Sequence, residues 1–387
     1  MKQIPLSVPN ITGKESTYVA QAMADGWISS VGSYVNSFER QLAQYSKKED
    51  VVAVGSGTAA LHLAFLEAKV GADDLVLAPS LTFIASINPI RYCQADPLFL
   101  DVDDSLCIDP KKLRAFLESS CIVKDRQTIH QASGRIIRAI VVVHIFGNLA
   151  DMEQIMEIVA KYPMAVIEDA AEAIGSYYET GKYQNQMAGT IGDFGVYSFN
   201  GNKIISTGGG GCVLSKDAEA LRHIRYLSTQ AKDDAWYFVH HEVGYNYRLT
   251  NVQAAIGCGQ LERLEDFIAH KQKLYQVYAE EFAGTGITLL PYRDQIRSNH
   301  WFFSILWKEE FGCTRHELMT SLKEQGIEVR PVWALIHEQK PYQDCIAAPL
   351  ERSLHYKSLI VNIPCSTNLA LEDAREVARI ILSRKRG

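Results

Sequence analysis

Seven short apolar runs recur through the first 215 residues: "VVAV" (51–54), "LVLAP" (75–79), "PLFLDV" (97–102), "AIVVVHIF" (139–146), "AVIEDA" (165–170), "FGVYSF" (194–199) and "CVLS" (212–215). Each is rich in Val, Ile, Leu or Phe and apolar on both faces, as strands are when helices cover both sides of a sheet. Helix-like stretches lie between them. "TAALHLAFLEA" offers Thr58 as a cap, and "DPKKLRAFLE" offers Asp109 as the cap with Pro110 at the first helical position. "DMEQIMEIVAKY" and "DAEALRHIRYL" follow the same logic. Alternating strands and helices predict an α/β domain with a mainly parallel sheet. The alternation stops near residue 230. A long helical pattern over about 250–282 then leads into "WFFSILW", "TRHELMTSLKEQ", "IEVRPVW" and "LEDAREVARIILSRK", which read as a smaller α+β unit. The expected division is a large domain over 1–250 and a small C-terminal domain over 251–387, and 387 residues suffice for two cores.

Composition narrows the partners. Apolar residues make up 47% and charged residues 22%, the mixture of an ordinary globular protein. The formal net charge is −6 and no basic cluster stands out, so no nucleic-acid partner is expected. No apolar run approaches the ~18 residues of a membrane span. The opening "MKQIPLSVPNITGKES" has no apolar signal-peptide core. Eight cysteines are scattered without a C-x-x-C pair and read as reduced thiols, so a cytoplasmic location is expected.

In a parallel sheet, ligands bind outside the carboxyl ends of the strands, and three strand ends carry chemistry. In "VVAVGSGTAALHLA" a strand ends in Gly55-Ser56-Gly57-Thr58 and a helix begins. Glycines let the backbone approach a ligand, and free N–H groups at a helix start favour a phosphate. The same residues fit the looser dinucleotide fingerprint or a plain tight turn. In "AVIEDAAEAIGS" a buried strand ends in Glu168-Asp169. A carboxylate there is costly unless paired; it reads as a helix cap or as a fixed anion facing a cationic ring nitrogen. In "DFGVYSFNGNKIISTGGGG" a strand delivers Ser198, and Lys203 follows five residues later, ahead of Gly208–Gly211. Most lysines are solvated loop residues, but a buried one becomes a nucleophile for carbonyls, and the glycine run argues for close packing. A phosphate cradle, a strand-end acid and a glycine-flanked lysine, in this order, are what pyridoxal 5'-phosphate requires.

These segments, with "GWISSVGSYVNSFE", "PSLTFIASINPI", "VHIFGNLADM", "GYNYRLTNVQAAIG" and "VRPVW", span almost the whole chain and resemble the DegT/StrS sugar aminotransferases. That family is a branch of the fold-type I pyridoxal phosphate enzymes. The resemblance implies a mostly parallel seven-stranded sheet with helices on both faces. It implies that Lys203 holds the cofactor as a Schiff base and shuttles protons, that Asp169 pairs with the ring nitrogen, and that Gly57, Thr58 and Ser198 hold the phosphate. Phe83 would stack on the ring. Asn246 would reach the phosphate of the neighbouring subunit's cofactor, which implies a homodimer with shared active sites. Many relatives carry Gln where this chain has Glu172; two anions near the ring's phenolic oxygen would repel, which favours a protonated carboxyl. Trp27, Ser29 and Ser30 would lie near the sugar. Arg248, His300, Trp301 and Arg330 could touch the nucleotide diphosphate or the donor carboxylate, each with a structural role as the equal alternative.

The wording "SFNGNKIISTGGGG", followed by "STQAKDD" and "GYNYRLTN", is similar to enzymes that aminate C4 of a nucleotide-linked 4-keto-6-deoxy N-acetyl sugar, as in bacillosamine and legionaminic acid pathways. A UDP-sugar acceptor, L-glutamate as donor and pyridoxamine phosphate as the amino carrier are then expected. The rivals are 3-amination or a GDP-sugar in the same family, and a related sugar dehydratase, whose lysine is replaced by histidine. More remote are a nicotinamide oxidoreductase built on Gly55–Ala60 and a non-catalytic regulator. His240, His241 and Glu242 lack H-E-x-x-H spacing and read as a surface loop rather than a metal site.

Overall fold

A computed structural model describes residues 3–234 and 236–385. The first ten strands in chain order are β1 Val51–Val54, β2 Leu75–Pro79, β3 Asp96–Leu100, β4 Cys121–Lys124, β5 Gln127–His130, β6 Ile136–Val143, β7 Ala165–Asp169, β8 Tyr177–Tyr178, β9 Phe194–Ser198 and β10 Gly211–Ser215. All but β8 form one sheet, whose main path runs β1-β10-β9-β7-β6-β2-β3. Strands β9, β7, β6, β2 and β3 run parallel, while β10 is antiparallel to both of its neighbours. The seven strands of this path are the seven apolar runs. Residues of β1, β2, β9 and β10 are buried throughout, because apolar clusters cover both faces of the sheet.

Two features differ from expectation. The segment "CIVKDRQTIH" forms a β4–β5 hairpin that joins the sheet against β6. Its turn places Asp125 and Arg126 at φ 50° and 60°, a left-handed pair that glycine or asparagine would normally signal. The helical pattern over 250–282 is two helices, Asn251–Leu261 and Leu264–Phe282. The first packs on helices Glu15–Ala24 and Ser33–Ser46, and the second on the C-terminal helix Leu371–Ser383. Beyond it lie β11 Thr288–Leu289, β12 Ile296–Arg297, β13 Phe303–Leu306, β14 Arg330–Pro331 and β15 Ile360–Ile363. Four of these build a sheet in the order β11-β13-β15-β14, while β12 pairs with β8. The N-terminal residues join this C-terminal unit: Ile4 donates to the Gly326 carbonyl at 2.9 Å, and Cys365 donates to the Leu6 carbonyl at 2.8 Å. Segments from both sides of residue 250 therefore pair and pack with one another.

One buried ion cluster ties the first helices to the sheet. Glu39, in helix Ser33–Ser46, accepts from the Ala53 amide at 2.7 Å, Arg225 Nη1 at 2.7 Å and Arg248 Nη2 at 2.9 Å. Arg248 also donates to the Ala53 carbonyl at 2.9 Å. Removing one partner of such a cluster leaves a buried charge uncompensated. Glu39→Ala is expected to lower stability by about 3–5 kcal/mol. Equilibrium urea unfolding checks this, and a change of under ~0.5 kcal/mol, the scale of an ordinary surface substitution, would refute it.

Candidate active site

Strand register builds the site. Val54 pairs with Gly211, and Gly211 pairs with Ser198 across β10. The turn leaving β1 therefore lies against the end of β9. The approach is tight enough to demand glycine. A Cβ on Gly57 would lie 2.8 Å from Ser198 Cβ, and one on Gly211 would lie 2.7 Å from the Gly57 nitrogen. Helix Gly57–Glu67 starts here, capped by Ser56, whose hydroxyl accepts from the Ala59 amide at 3.0 Å. Ser56 thus takes the capping position expected of Thr58. That leaves Thr58 in the first turn, where free amides and the positive end of the helix dipole face an anion.

At the end of β7 two carboxylates point to opposite faces, as alternation along a strand requires. Glu168 is fully buried and accepts from the Gly189, Ile191 and Gly192 amides at 3.0, 2.6 and 2.6 Å, and from His144 Nε2 at 2.8 Å. Burial opposes its charge, but His144 and the Gly192 and Ile191 amides hold it below the usual carboxylate range. His144 Nδ1 accepts from the Ala150 amide at 3.2 Å, so Nε2 is the nitrogen that carries the proton towards Glu168. Asp169 faces the other way, into a cavity of about 310 Å³. It is buried, and its Oδ1 accepts from the Ala171 amide at 3.0 Å. Residues 171–175 form turns rather than the helix that a capping role would have required.

Lys203 reaches the same cavity from the loop between β9 and β10. The loop closes on Phe199, which donates to the Gly210 carbonyl at 2.8 Å and accepts from the Thr207 amide at 2.9 Å. Lys203 Nζ lies 3.4 Å from Glu172 Oε1, and Glu172 Oε2 accepts from the Phe146 amide at 2.8 Å. Burial pushes the Glu172 carboxyl above its ordinary range. Lys203 and the Phe146 amide pull it down, Asp169 adds to the push, and the balance stays upward. Phe146 sits at φ 55°, an uncommon conformation for a bulky residue, and this places its amide on Glu172.

Gly57, Thr58, Phe83, Asp169, Ser198 and Lys203 all line this cavity, as do Glu172 and Trp301. The remaining expected contacts stand elsewhere. Arg248 has its guanidinium committed to Glu39 and Ala53 and does not line this cavity. His300 is sealed between the rings of Tyr275 and Tyr292, at 5.0 and 4.3 Å, and burial lowers its pKa to about 4. It packs among these rings and does not line the cavity. Arg330 pairs with Glu328 Oε1 at 2.5 Å on an exposed strand end. Trp27 and Ser29 lie in an exposed loop, held by their carbonyls to Asn251 at 2.6 Å each, with Ser30 beside them. Asn246 is exposed and bridges to Thr229. His240 Nδ1 lies 2.8 Å from the Gln230 carbonyl and His241 pairs with Asp233 at 2.9 Å. Sequence reasoning missed Trp333, Phe302, Ser86, Asn200 and Asn202 in the cavity wall. Trp333 stands in the quoted "VRPVW", but a lone aromatic residue reads as core.

The donor set suits pyridoxal phosphate. A glycine-lined helix start with the Thr58 and Ser198 hydroxyls provides for a phosphate, Asp169 for a cationic ring nitrogen, Phe83 for a ring face and Lys203 for an aldehyde. Gly57 and Thr58 share one cavity with Asp169 and Lys203, and the dinucleotide reading of Gly55–Ala60 leaves that acid and that lysine unexplained. Among the described residues, no helix is long and apolar enough to cross a membrane.

The model of the DegT/DnrJ/EryC1/StrS aminotransferase family matches residues 9–382. The GDP-perosamine synthase of Escherichia coli O157:H7 is 36% identical over 373 residues, 96% of each chain. The UDP-4-amino-4,6-dideoxy-N-acetyl-beta-L-altrosamine transaminase of Campylobacter jejuni (strain 81-176) is 29% identical over 98% of this chain and 97% of its own. A solved DegT/DnrJ/EryC1/StrS aminotransferase from Brucella abortus matches with a TM-score of 0.86 and 27% identity, covering 97% of this chain and 96% of its own.

Proposed function

This chain belongs to the DegT/DnrJ/EryC1/StrS aminotransferase family, a pyridoxal phosphate-dependent sugar aminotransferase of fold-type I, and we propose that it moves the amino group of L-glutamate to C4 of a nucleotide-linked 4-keto-6-deoxy sugar. The observation that carries this reading is the meeting of Lys203, Asp169 and the Gly57–Ser198 cradle in one cavity. Bound pyridoxal phosphate supplies the electron sink for amino transfer. In this reading Lys203 anchors the cofactor, and Lys203 Nζ takes a proton from the donor α-carbon in one half-reaction and delivers one to the sugar C4 in the other. Asp169 keeps the ring nitrogen protonated. Thr58 and Ser198 hold the phosphate, and Phe83 stacks on the ring.

The acceptor we assign first is a UDP-linked N-acetyl sugar, on the wording of the 198–248 segments. A second reading, a GDP-linked sugar, is supported by the 36% identity with a GDP-perosamine synthase along nearly the whole chain. A homodimer that places Asn246 beside the neighbouring subunit's cofactor completes the reading. The experiment is an absorbance titration. L-Glutamate is expected to bleach the visible band of the lysine-bound cofactor, and a 4-keto sugar nucleotide to restore it. Restoration by the UDP-sugar alone selects the first reading and by the GDP-sugar alone the second. A band that glutamate leaves unchanged sinks the donor assignment.

A further inference from the structure

The indole of Trp301 stands beside Lys203 and takes no part in the mechanism above. Lys203 Nζ lies 4.0 Å from the centroid of the Trp301 ring, well inside the range at which an ammonium is drawn to an indole face. Trp301 is buried and held from several directions. Its ring stacks on Phe302 at 3.9 Å with planes 7° apart. Its Nε1 donates to the Asn202 carbonyl at 2.9 Å, and its amide donates to Asn299 Oδ1 at 2.9 Å. Asn299 Nδ2 in turn donates to the carbonyls of Glu172 and Ile174, both at 2.9 Å. The indole is thereby fastened to the segments that carry both Lys203 and Glu172. The charged side chains lining the cavity with Lys203 are Asp169 and Glu172. Glu172 is 3.4 Å away and already shares its other oxygen with the Phe146 amide.

We propose that Trp301 is a positioning residue for Lys203: its indole face holds the ammonium whenever Nζ carries its own positive charge, and its Nε1 bond to Asn202 fixes the backbone that aims the lysine. A lysine that must leave and recapture a cofactor needs a defined place for its free form. A ring face supplies one and holds the charge less firmly than a paired carboxylate would. This inference rests on the reading of Lys203 as the cofactor lysine.

The test uses the full chain stripped of cofactor and mixed with pyridoxal phosphate. The visible band grows only as neutral amine attacks the aldehyde, so a partner that stabilises the ammonium delays it. In Trp301→Leu the pH of half-maximal band formation is expected to fall by about 0.5 to 1 unit. Trp301→Phe keeps a ring face and is expected to shift less than half as far. Replacing every tryptophan by a fluorinated analogue keeps shape and N–H but weakens the ring's negative face. It should lower the midpoint in the parent chain and leave it unmoved in Trp301→Phe. If Trp301→Leu does not fold, the fluorinated chain carries the test. A midpoint unchanged by fluorination, or by the leucine variant where it folds, overturns the proposal. Failure of the parent chain to form any band overturns the reading of Lys203 itself.

Discussion

Lys203→Ala is expected to reduce amino transfer by about 10⁴-fold or more while leaving a folded protein. The loss is large because one nitrogen has two tasks. In the proposed mechanism it anchors the cofactor and moves the proton in each half-reaction, a general acid–base contribution of roughly 10²–10⁴ by itself. The fold should survive because Lys203 is not a core residue. It contacts Glu172 at 3.4 Å and the Trp301 ring at 4.0 Å, both within the cavity. Losing its charge leaves Glu172 without a cation, but burial already favours the protonated form of that carboxyl. The variant should show no lysine-bound absorbance band with added pyridoxal phosphate and a melting temperature within a few degrees of the parent. Turnover within tenfold of the parent would remove Lys203 from the mechanism.

The sheet was legible because burial on both faces writes strands as unbroken apolar runs. Register was not. Nothing in "VVAVGSG" or "FGVYSF" states that Val54 and Ser198 lie one strand apart across Gly211. The need for glycine at 57 and 211 becomes physical only once that pairing is known. The β4–β5 hairpin stayed hidden for a related reason: Asp125 and Arg126 adopt left-handed geometry without the residues that usually announce it. The fold brings Asp169, Gly57, Thr58 and Lys203 to one cavity, and the grouping of a strand-end acid, a glycine turn and a framed lysine was legible in their order along the chain. The arginines and histidines beyond them were not. Arg248 beside "GYNY" and His300 beside Trp301 look alike in sequence. Only the fold shows that one is bound to Glu39 and the other packed between tyrosines. Polar residues near a motif carry no mark that separates a ligand from a brace.

The adjacent acids Glu168 and Asp169 sharpen the second large prediction. They share a strand end, yet their surroundings assign them different work. Glu168 is surrounded by three amides and His144, so its charge is spent inside the protein. Asp169 accepts from the Ala171 amide and faces the cavity. Asp169→Asn should retain the Ala171 bond through its amide oxygen, so backbone geometry and thermal stability should hold. The amide nitrogen, however, cannot keep a ring nitrogen protonated, and a positioned charge at a developing transition state is worth about 10²–10³-fold or more. We expect kcat to fall by about 10³-fold, with cofactor affinity reduced far less, because the proposed phosphate cradle at Gly57, Thr58 and Ser198 is untouched. Steady-state kinetics with saturating pyridoxal phosphate, read beside a cofactor titration, separates the two effects. A kcat within tenfold of the parent would mean that Asp169 is only a turn residue. Equal losses in kcat and cofactor binding would mean that it holds the cofactor in place rather than tuning it.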